Sequence, residues 1–225
     1  MAVKKDTDGF SHVADTAAGN ENHAKAISGL FRDNVIPHLL DRYSTIPSSA
    51  GALLLVEGES DERFLELAMA GLGYDEKLRD LHVIHSTGVD SLVAQAVLLG
   101  VEASQPVWAL FDSDENGRKG RDVLKRFNFE NDDILEYGKF VSGSYTQDAE
   151  AEWLFASSLM QRFVDDLGEE IVLKSKAFKF KDWRYDFTPI GKEHFPLWLE
   201  KHAKAKDYAG WTPVLEALSN KLSTA

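Results

Sequence analysis

Asp112 directly follows the apolar run 107–111, and a second aspartate, Asp114, comes two residues later. If that run is a buried strand, side chains two residues apart point in the same direction, so both carboxylates can reach one point. A second apolar run, 53–56, ends in Glu57. Because open parallel sheets bind ligands at the carboxyl ends of their strands, we expect the two acidic motifs to share one site.

Carboxylate pairs of this kind suit divalent metals. Mg²⁺ takes oxygen ligands in near-octahedral geometry, and Mn²⁺ accepts the same donors. Two such ions about 4 Å apart can clamp the attacking and leaving oxygens during phosphodiester hydrolysis. A single Asp-x-Asp is common among exposed acids, so the prediction depends on having two acidic motifs.

Composition limits the function classes. The chain has 225 residues, 44% of them hydrophobic and 28% charged, which is typical of a soluble globular protein. No apolar run approaches the roughly 18 residues of a membrane span, and no secretory signal is visible. The absence of cysteine excludes disulfides and thiolate zinc sites and favours a cytoplasmic location. A net charge of −12 argues against coating nucleic acid by bulk charge, but not against a metal-dependent nuclease.

Short apolar runs alternate with helical patterns, which predicts a doubly wound α/β domain. Its sheet should be mostly parallel, with right-handed crossovers and helices on both faces. The predicted strands are 52–56, 81–84, 106–112 and 135–141; the predicted helices are 61–71, 90–100, 120–127, 149–160, 195–205 and 213–222.

The breaker cluster at 46–51 marks a domain boundary. Before it we expect a flexible tail over 1–20 and an amphipathic helical extension over 21–48 that packs on the main domain or on a second copy of the chain. The main domain then spans 50–225. We therefore also expect a homo-oligomer.

Basic residues cluster between 118 and 126, beside the acidic centre, and again between 171 and 185, where they alternate with aromatic residues. Basic and aromatic side chains that alternate in this way can bind a nucleic-acid strand. The same pattern can equally belong to a surface strand whose aromatic side chains lie in the core. The predicted nucleic-acid-binding residues are Arg118, Lys119, Arg121, Lys176 and Lys179.

Residues 54–61, Leu-Leu-Val-Glu-Gly-Glu-Ser-Asp, are followed about 55 residues later by Phe-Asp-Ser-Asp at 111–114. Together they resemble the two signature motifs of the Toprim domain. Residues 152–155 are similar to the Glu-Asp-Leu-Phe motif of the OLD-family nucleases, with Trp153 at the second acidic position. Lys192, before the closing helices, is similar to a lysine that assists catalysis in that subgroup.

The resemblance implies a Toprim-like, Rossmannoid sheet with Mg²⁺ or Mn²⁺ as cofactor. It implies that Glu57, Asp112, Asp114 and Lys192 are catalytic, and that the metal ligands are Glu57, Asp61, Asp112, Asp114 and Glu152. We interpret four neighbouring acids as solvated charges, because strand or helix periodicity turns them away from the ligands: Glu59, Glu62, Glu115 and Glu150.

In the OLD family an ATPase domain of the ABC type usually precedes the Toprim domain. No Gly-x-x-x-x-Gly-Lys-[Ser/Thr] loop occurs in this sequence. We therefore expect a metal-dependent endonuclease acting on DNA or RNA, as the effector of an antiphage defence or repair complex whose ATPase is a separate chain. The alternative is a catalytically silent Toprim module that binds nucleic acid or a partner protein.

Overall fold

The computed structural model describes residues 2–5, 11–14, 46–141, 146–178 and 182–224. The chain forms two compact units, Met1–Thr45 and Ile46–Ala225. In the first unit, β1 (Ala2–Lys5) pairs with β2 (Ser11–Ala14) as an antiparallel hairpin, within the stretch for which we expected a flexible tail. Of the predicted helical extension, residues 21–45 lie outside the described residues.

A four-stranded sheet forms the centre of the second unit. Its strands are β3 (Ala52–Val56), β4 (Leu81–His85), β5 (Val107–Phe111) and β6 (Ile134–Glu136). They lie in the order β4-β3-β5-β6, and each neighbouring pair is parallel. All residues of β3 and β5 are buried, because helices cover the sheet on both faces. The predicted α/β fold class is confirmed.

Three helices connect the strands. Helix α1 (Glu59–Leu72) follows β3, α2 (Val89–Glu102) follows β4, and α3 (Glu115–Arg126) follows β5. Gly120 of α3 lies against Val89 and Phe111, so that α2 and α3 pack together on one side of the sheet. Leu54 and other alternate residues of β3 face the opposite side, where they share a core with α1.

The carboxyl-terminal part of the chain packs on that second side. A short 3₁₀ helix, Ala151–Leu154, precedes α4 (Ser157–Leu167), which leads to the hairpin of β7 (Val172–Phe178) and β8 (Asp182–Phe187). Helices α5 (Pro189–His202) and α6 (Thr212–Leu222) complete the unit. Tyr185 and Phe187 of β8 are buried in the core. Tyr185 is one of four aromatic residues between 171 and 185; the side chains of the other three lie outside the described residues, so both interpretations of that segment stay open.

Aromatic rings hold these elements to the sheet. The ring of Phe155 lies 5.1 Å from that of Phe64 on α1, 5.3 Å from Phe195 on α5 and 5.6 Å from Trp211, centroid to centroid. Edge-to-face and tilted rings at such distances add to the burial of apolar area. The segment around Glu152 is thereby anchored to three other parts of the core.

Several predicted element bounds are wrong. Helix α3 begins at Glu115 rather than near residue 120, because Asp114 accepts the Gly117 N–H at 2.7 Å and caps the helix. Strand β6 ends at Glu136 instead of continuing to residue 141. Helix α6 begins at Thr212, one residue before the predicted start.

The predicted helix 149–160 is two elements. Glu150 has extended backbone angles, φ −105° and ψ 169°, and the 3₁₀ helix and α4 follow it as separate pieces. Helix α5 begins at Pro189, six residues before the predicted start, with Thr188 as its N-cap. Within the described residues, no helix combines the length and the hydropathy required to cross a membrane.

Gly117→Ala should destabilise the domain by about 2–3 kcal/mol, since a Cβ there would lie 2.0 Å from the Asp112 carbonyl oxygen. Gly58→Ala is the matched control: it also borders an acidic motif, but its Cβ would lie no closer than 3.4 Å to its neighbours. It should cost no more than about 1 kcal/mol. Urea unfolding followed by tryptophan fluorescence measures both, and equal costs would contradict this account of the turn.

Candidate functional site

The first two acidic side chains lie at the carboxyl ends of adjacent parallel strands. Val56 is paired with Leu110, so the residues that follow β3 and β5 emerge at the same edge of the sheet. There the backbone N–H of Asp112 donates a hydrogen bond of 2.9 Å to Glu57 Oε1. This bond joins the two motifs directly, as their strand context predicted.

Asp61 enters the same site from the first turn of α1. Its Oδ2 accepts the Gly58 N–H at 2.8 Å, and the residue is 7% exposed. A carboxylate near a helix N-terminus also interacts favourably with the helix dipole. Asp114 is likewise held at a helix N-terminus, because its Oδ1 accepts the Gly117 N–H in the first turn of α3.

Glu152 comes from the 3₁₀ helix and is 3% exposed. Lys192 of α5 lies beside it: the ammonium nitrogen is 3.5 Å from Glu152 Oε1 and 2.7 Å from Glu150 Oε2. The interpretation of Glu150 as a solvated charge is therefore wrong. Because the helix predicted there is interrupted, helical periodicity does not turn this residue away from the site.

Crowding and burial dominate the electrostatics of the cluster. Burial and the charges of neighbouring acids raise the pKa of Glu57 to about 8, although the hydrogen bond from Asp112 lowers it. Burial likewise raises the pKa of Asp61 to about 6 and that of Glu152 to about 7, although Lys192 lowers both. The pKa of Asp112 is well above its usual range, because of burial and the charges of Asp61 and Glu57.

Lys192 supplies the positive charge of this site. Burial lowers its pKa, but Glu152 and Glu150 outweigh burial and raise the pKa above its usual range. The ammonium therefore stays protonated at physiological pH. It offsets part of the negative charge that the carboxylates would otherwise concentrate at this edge of the sheet.

Ser113 is a buried residue of the site that the sequence analysis missed. It lies between the two aspartates and points to the other side of the strand, where its Oγ accepts the Gly138 N–H at 2.7 Å. Its backbone N–H donates to Ala149 O at 2.8 Å, and the Asp148 N–H donates to Ser113 O at 3.1 Å. These bonds hold the chain segment that leads to Glu152. The small polar residue between the two aspartates was the available signal.

The cluster fits Mg²⁺ or Mn²⁺ in its donor chemistry. All predicted ligands supply oxygen, and the buried Oδ1 of Asp112 has no hydrogen-bond partner within the described part of the chain. Among the described residues, however, no three Asp, Glu or His side chains are already arranged to hold one ion. Metal binding would therefore require the carboxylates to reorient.

Two of the predicted nucleic-acid-binding residues have structural partners. Arg118 Nη1 donates a hydrogen bond to Ser113 O, next to the acidic cluster. Arg121 forms ion pairs with Asp122 at 2.9 Å and with the buried Glu136 at 3.2 Å. Both arginines stabilise the fold around the site.

The other basic residues are placed differently. Lys119 is exposed on α3 and forms an ion pair of 2.7 Å with Glu115, one turn away. Lys176 lies on β7, where its backbone partner on β8 is Arg184. Lys179 lies outside the described residues.

No family model matches the chain, and neither a curated protein nor a solved structure matches it. The relation to the Toprim domain therefore stays a prediction from the two acidic motifs.

Metal-free protein in EDTA should lose stability as pH rises through the pKa of Glu57. The pKa of Glu57 is raised in the folded protein, so its protonated carboxyl contributes stability. That contribution is fully present below the ordinary pKa of 4.5 and is lost as the pH rises through about 8. In Glu57→Gln the amide oxygen still accepts the Asp112 N–H but does not titrate. Between pH 5 and pH 9 the variant should lose about 1–3 kcal/mol less than the wild type. Urea titrations test this, and identical pH profiles would refute it.

Proposed function

We propose that this protein is a Toprim-like endonuclease that hydrolyses phosphodiester bonds of DNA or RNA with Mg²⁺ or Mn²⁺. The observation that carries the proposal is the meeting of Glu57 and Asp112, from motifs 55 positions apart, at the carboxyl ends of adjacent parallel strands. Asp61, Glu152 and Lys192 reach the same place from three further elements. A fold has no structural need to bury so many carboxylates together, since each is costly to desolvate.

The proposed site consists of metal ligands and one positively charged side chain. Glu57, Asp61, Asp112 and Glu152 would hold the metal, with Asp114 joining through the oxygen that does not cap α3. When bound, the metal supplies an activated water and neutralises charge on the leaving oxygen. Lys192 would contact a phosphate oxygen and stabilise the charge that develops there.

A catalytically silent binding module is the second candidate. It is favoured by the ion pairs of Lys192 with Glu150 and Glu152, which already neutralise part of the cluster without any metal. In such a module the cluster would serve only as a stable polar centre beneath a docking surface. The two candidates differ in whether the purified protein binds divalent metal and cleaves nucleic acid.

Purified protein should cleave nucleic acid with Mg²⁺ or Mn²⁺ and be inactive in EDTA. Supercoiled DNA, single-stranded DNA and structured RNA are the substrates to compare. Asp112→Asn should lower cleavage at least about 100-fold, because it removes a charged ligand while keeping the shape of the side chain. Its melting temperature in EDTA should equal or exceed that of the wild type, since it relieves repulsion.

The matched control is Asp132→Asn, which removes an exposed acid from the 3₁₀ turn before β6. It should leave cleavage unchanged. Cleavage that continues in EDTA would exclude the metal mechanism. An Asp112→Asn variant that unfolds would show a structural role for this carboxylate instead.

We further propose that the nuclease acts in the cytoplasm together with a separate ATPase chain and is weakly active alone. A net charge of −12 gives little attraction to nucleic acid, and both arginines among the predicted nucleic-acid-binding residues are engaged in the fold. A partner would supply the missing binding surface. The absence of cysteine supports the reducing compartment.

If the nuclease depends on a partner, the isolated chain should cleave nucleic acid only at micromolar enzyme near physiological salt. Multiple turnovers at nanomolar enzyme without a partner would contradict it. The paired substitution Lys119→Glu and Lys125→Glu separates the cases further, because both side chains are exposed on α3 and the change leaves the Arg118 bond to Ser113 in place. It should abolish cleavage by a self-sufficient enzyme but only weaken a partner-supported one.

A further inference from the structure

Tyr137 brings a neutral hydroxyl to the acidic cluster. It directly follows β6, and its side chain is fully buried. Strand β6 lies next to β5 and parallel to it, so Tyr137 emerges at the same edge of the sheet as Glu57 and Asp112. The ring packs edge-on against Trp211, with 5.8 Å between centroids.

The Tyr137 hydroxyl has no hydrogen-bond partner of full geometry within the described part of the chain. A buried O–H without a partner is costly, and phenylalanine would fill the same space without that cost. The ring contact with Trp211 explains an aromatic residue at this position. It does not explain a hydroxyl.

The surroundings of the hydroxyl are carboxylates. Burial raises the pKa of Tyr137 well above its usual range, and the charges of Asp61, Asp112 and Glu152 add to this effect. The phenol is therefore an O–H donor at any pH at which the protein would work. The Tyr137 hydroxyl lowers the pKa of Asp61, so these two groups lie close together.

We propose that Tyr137 is a positioning residue of the candidate metal site, donating its hydroxyl hydrogen to the Asp61 carboxylate when Asp61 binds the cation. This inference rests on the metal-dependent function proposed above. Asp61 is already held by the Gly58 N–H, in the turn between β3 and α1. A second donor at the end of β6 would fix the carboxylate from two strands and select one orientation for it.

The test compares Tyr137→Phe with the wild type in metal-free and metal-loaded conditions. In EDTA the variant should melt at the same temperature or higher, because it removes an unpaired buried donor. Its affinity for Mn²⁺, measured by calorimetric titration, should fall about 10-fold or more. Unchanged Mn²⁺ affinity would overturn the proposal. A lower melting temperature in EDTA would also overturn it, since the hydroxyl would then have a structural role.

Tyr185→Phe is the matched control. The Tyr185 hydroxyl donates to Gln161, away from the acidic cluster. Its loss should lower the melting temperature by the same amount with and without Mn²⁺ and leave the Mn²⁺ affinity unchanged. A loss of affinity equal to that of Tyr137→Phe would overturn the proposal, because the effect would then not depend on the position of the hydroxyl.

A double-substitution cycle tests the assignment to Asp61. Asp61→Asn keeps an acceptor for the Gly58 N–H but weakens the ligand. In that background Tyr137→Phe should cost less than about 2-fold in Mn²⁺ affinity. A full 10-fold further loss would overturn the assignment. Absence of Mn²⁺ binding by the wild type would instead refute the proposed function, which distinguishes the two failures.

Discussion

The hydrogen bond from the Asp112 backbone N–H to Glu57 Oε1 is the interaction around which this site is arranged. It depends on β3 and β5 being adjacent and parallel, so that both strands end at one edge of the sheet. Once Glu57 is held there, Asp112 lies beside another acid in a buried place. The neighbouring elements then have to limit the electrostatic cost, and Lys192 of α5 contributes most of that compensation.

Compensation is incomplete, which is in keeping with the proposed metal site. One lysine faces several carboxylates whose pKa values are raised by burial and mutual repulsion, which is a destabilising arrangement for a metal-free protein at neutral pH. Such strain is retained where a ligand relieves it. A divalent cation would relieve it most directly, because it binds the charged form of every carboxylate it contacts.

Residues around the acidic cluster make the contacts that position it. Ser113 bonds to the segments around Gly138 and Ala149, and it thereby orients the chain that carries Glu152. The ring of Phe155 anchors the same segment to the aromatic core. Residues outside the acidic cluster thus decide whether the cluster can form, as the proposed metal site would require.

By itself, the sequence determined the α/β class, the strands β3, β4 and β5, and the meeting of the two acidic motifs, because buried parallel strands are short apolar runs and residue order specifies where they end. It did not show that Asp114 caps α3, that Glu150 belongs to the cluster, or that Tyr137 lies inside it. Those features depend on where helices break and on which side chains tertiary packing brings together. Both are decided by contacts between residues far apart in the chain, such as Lys192 with Glu150, and no local pattern encodes them.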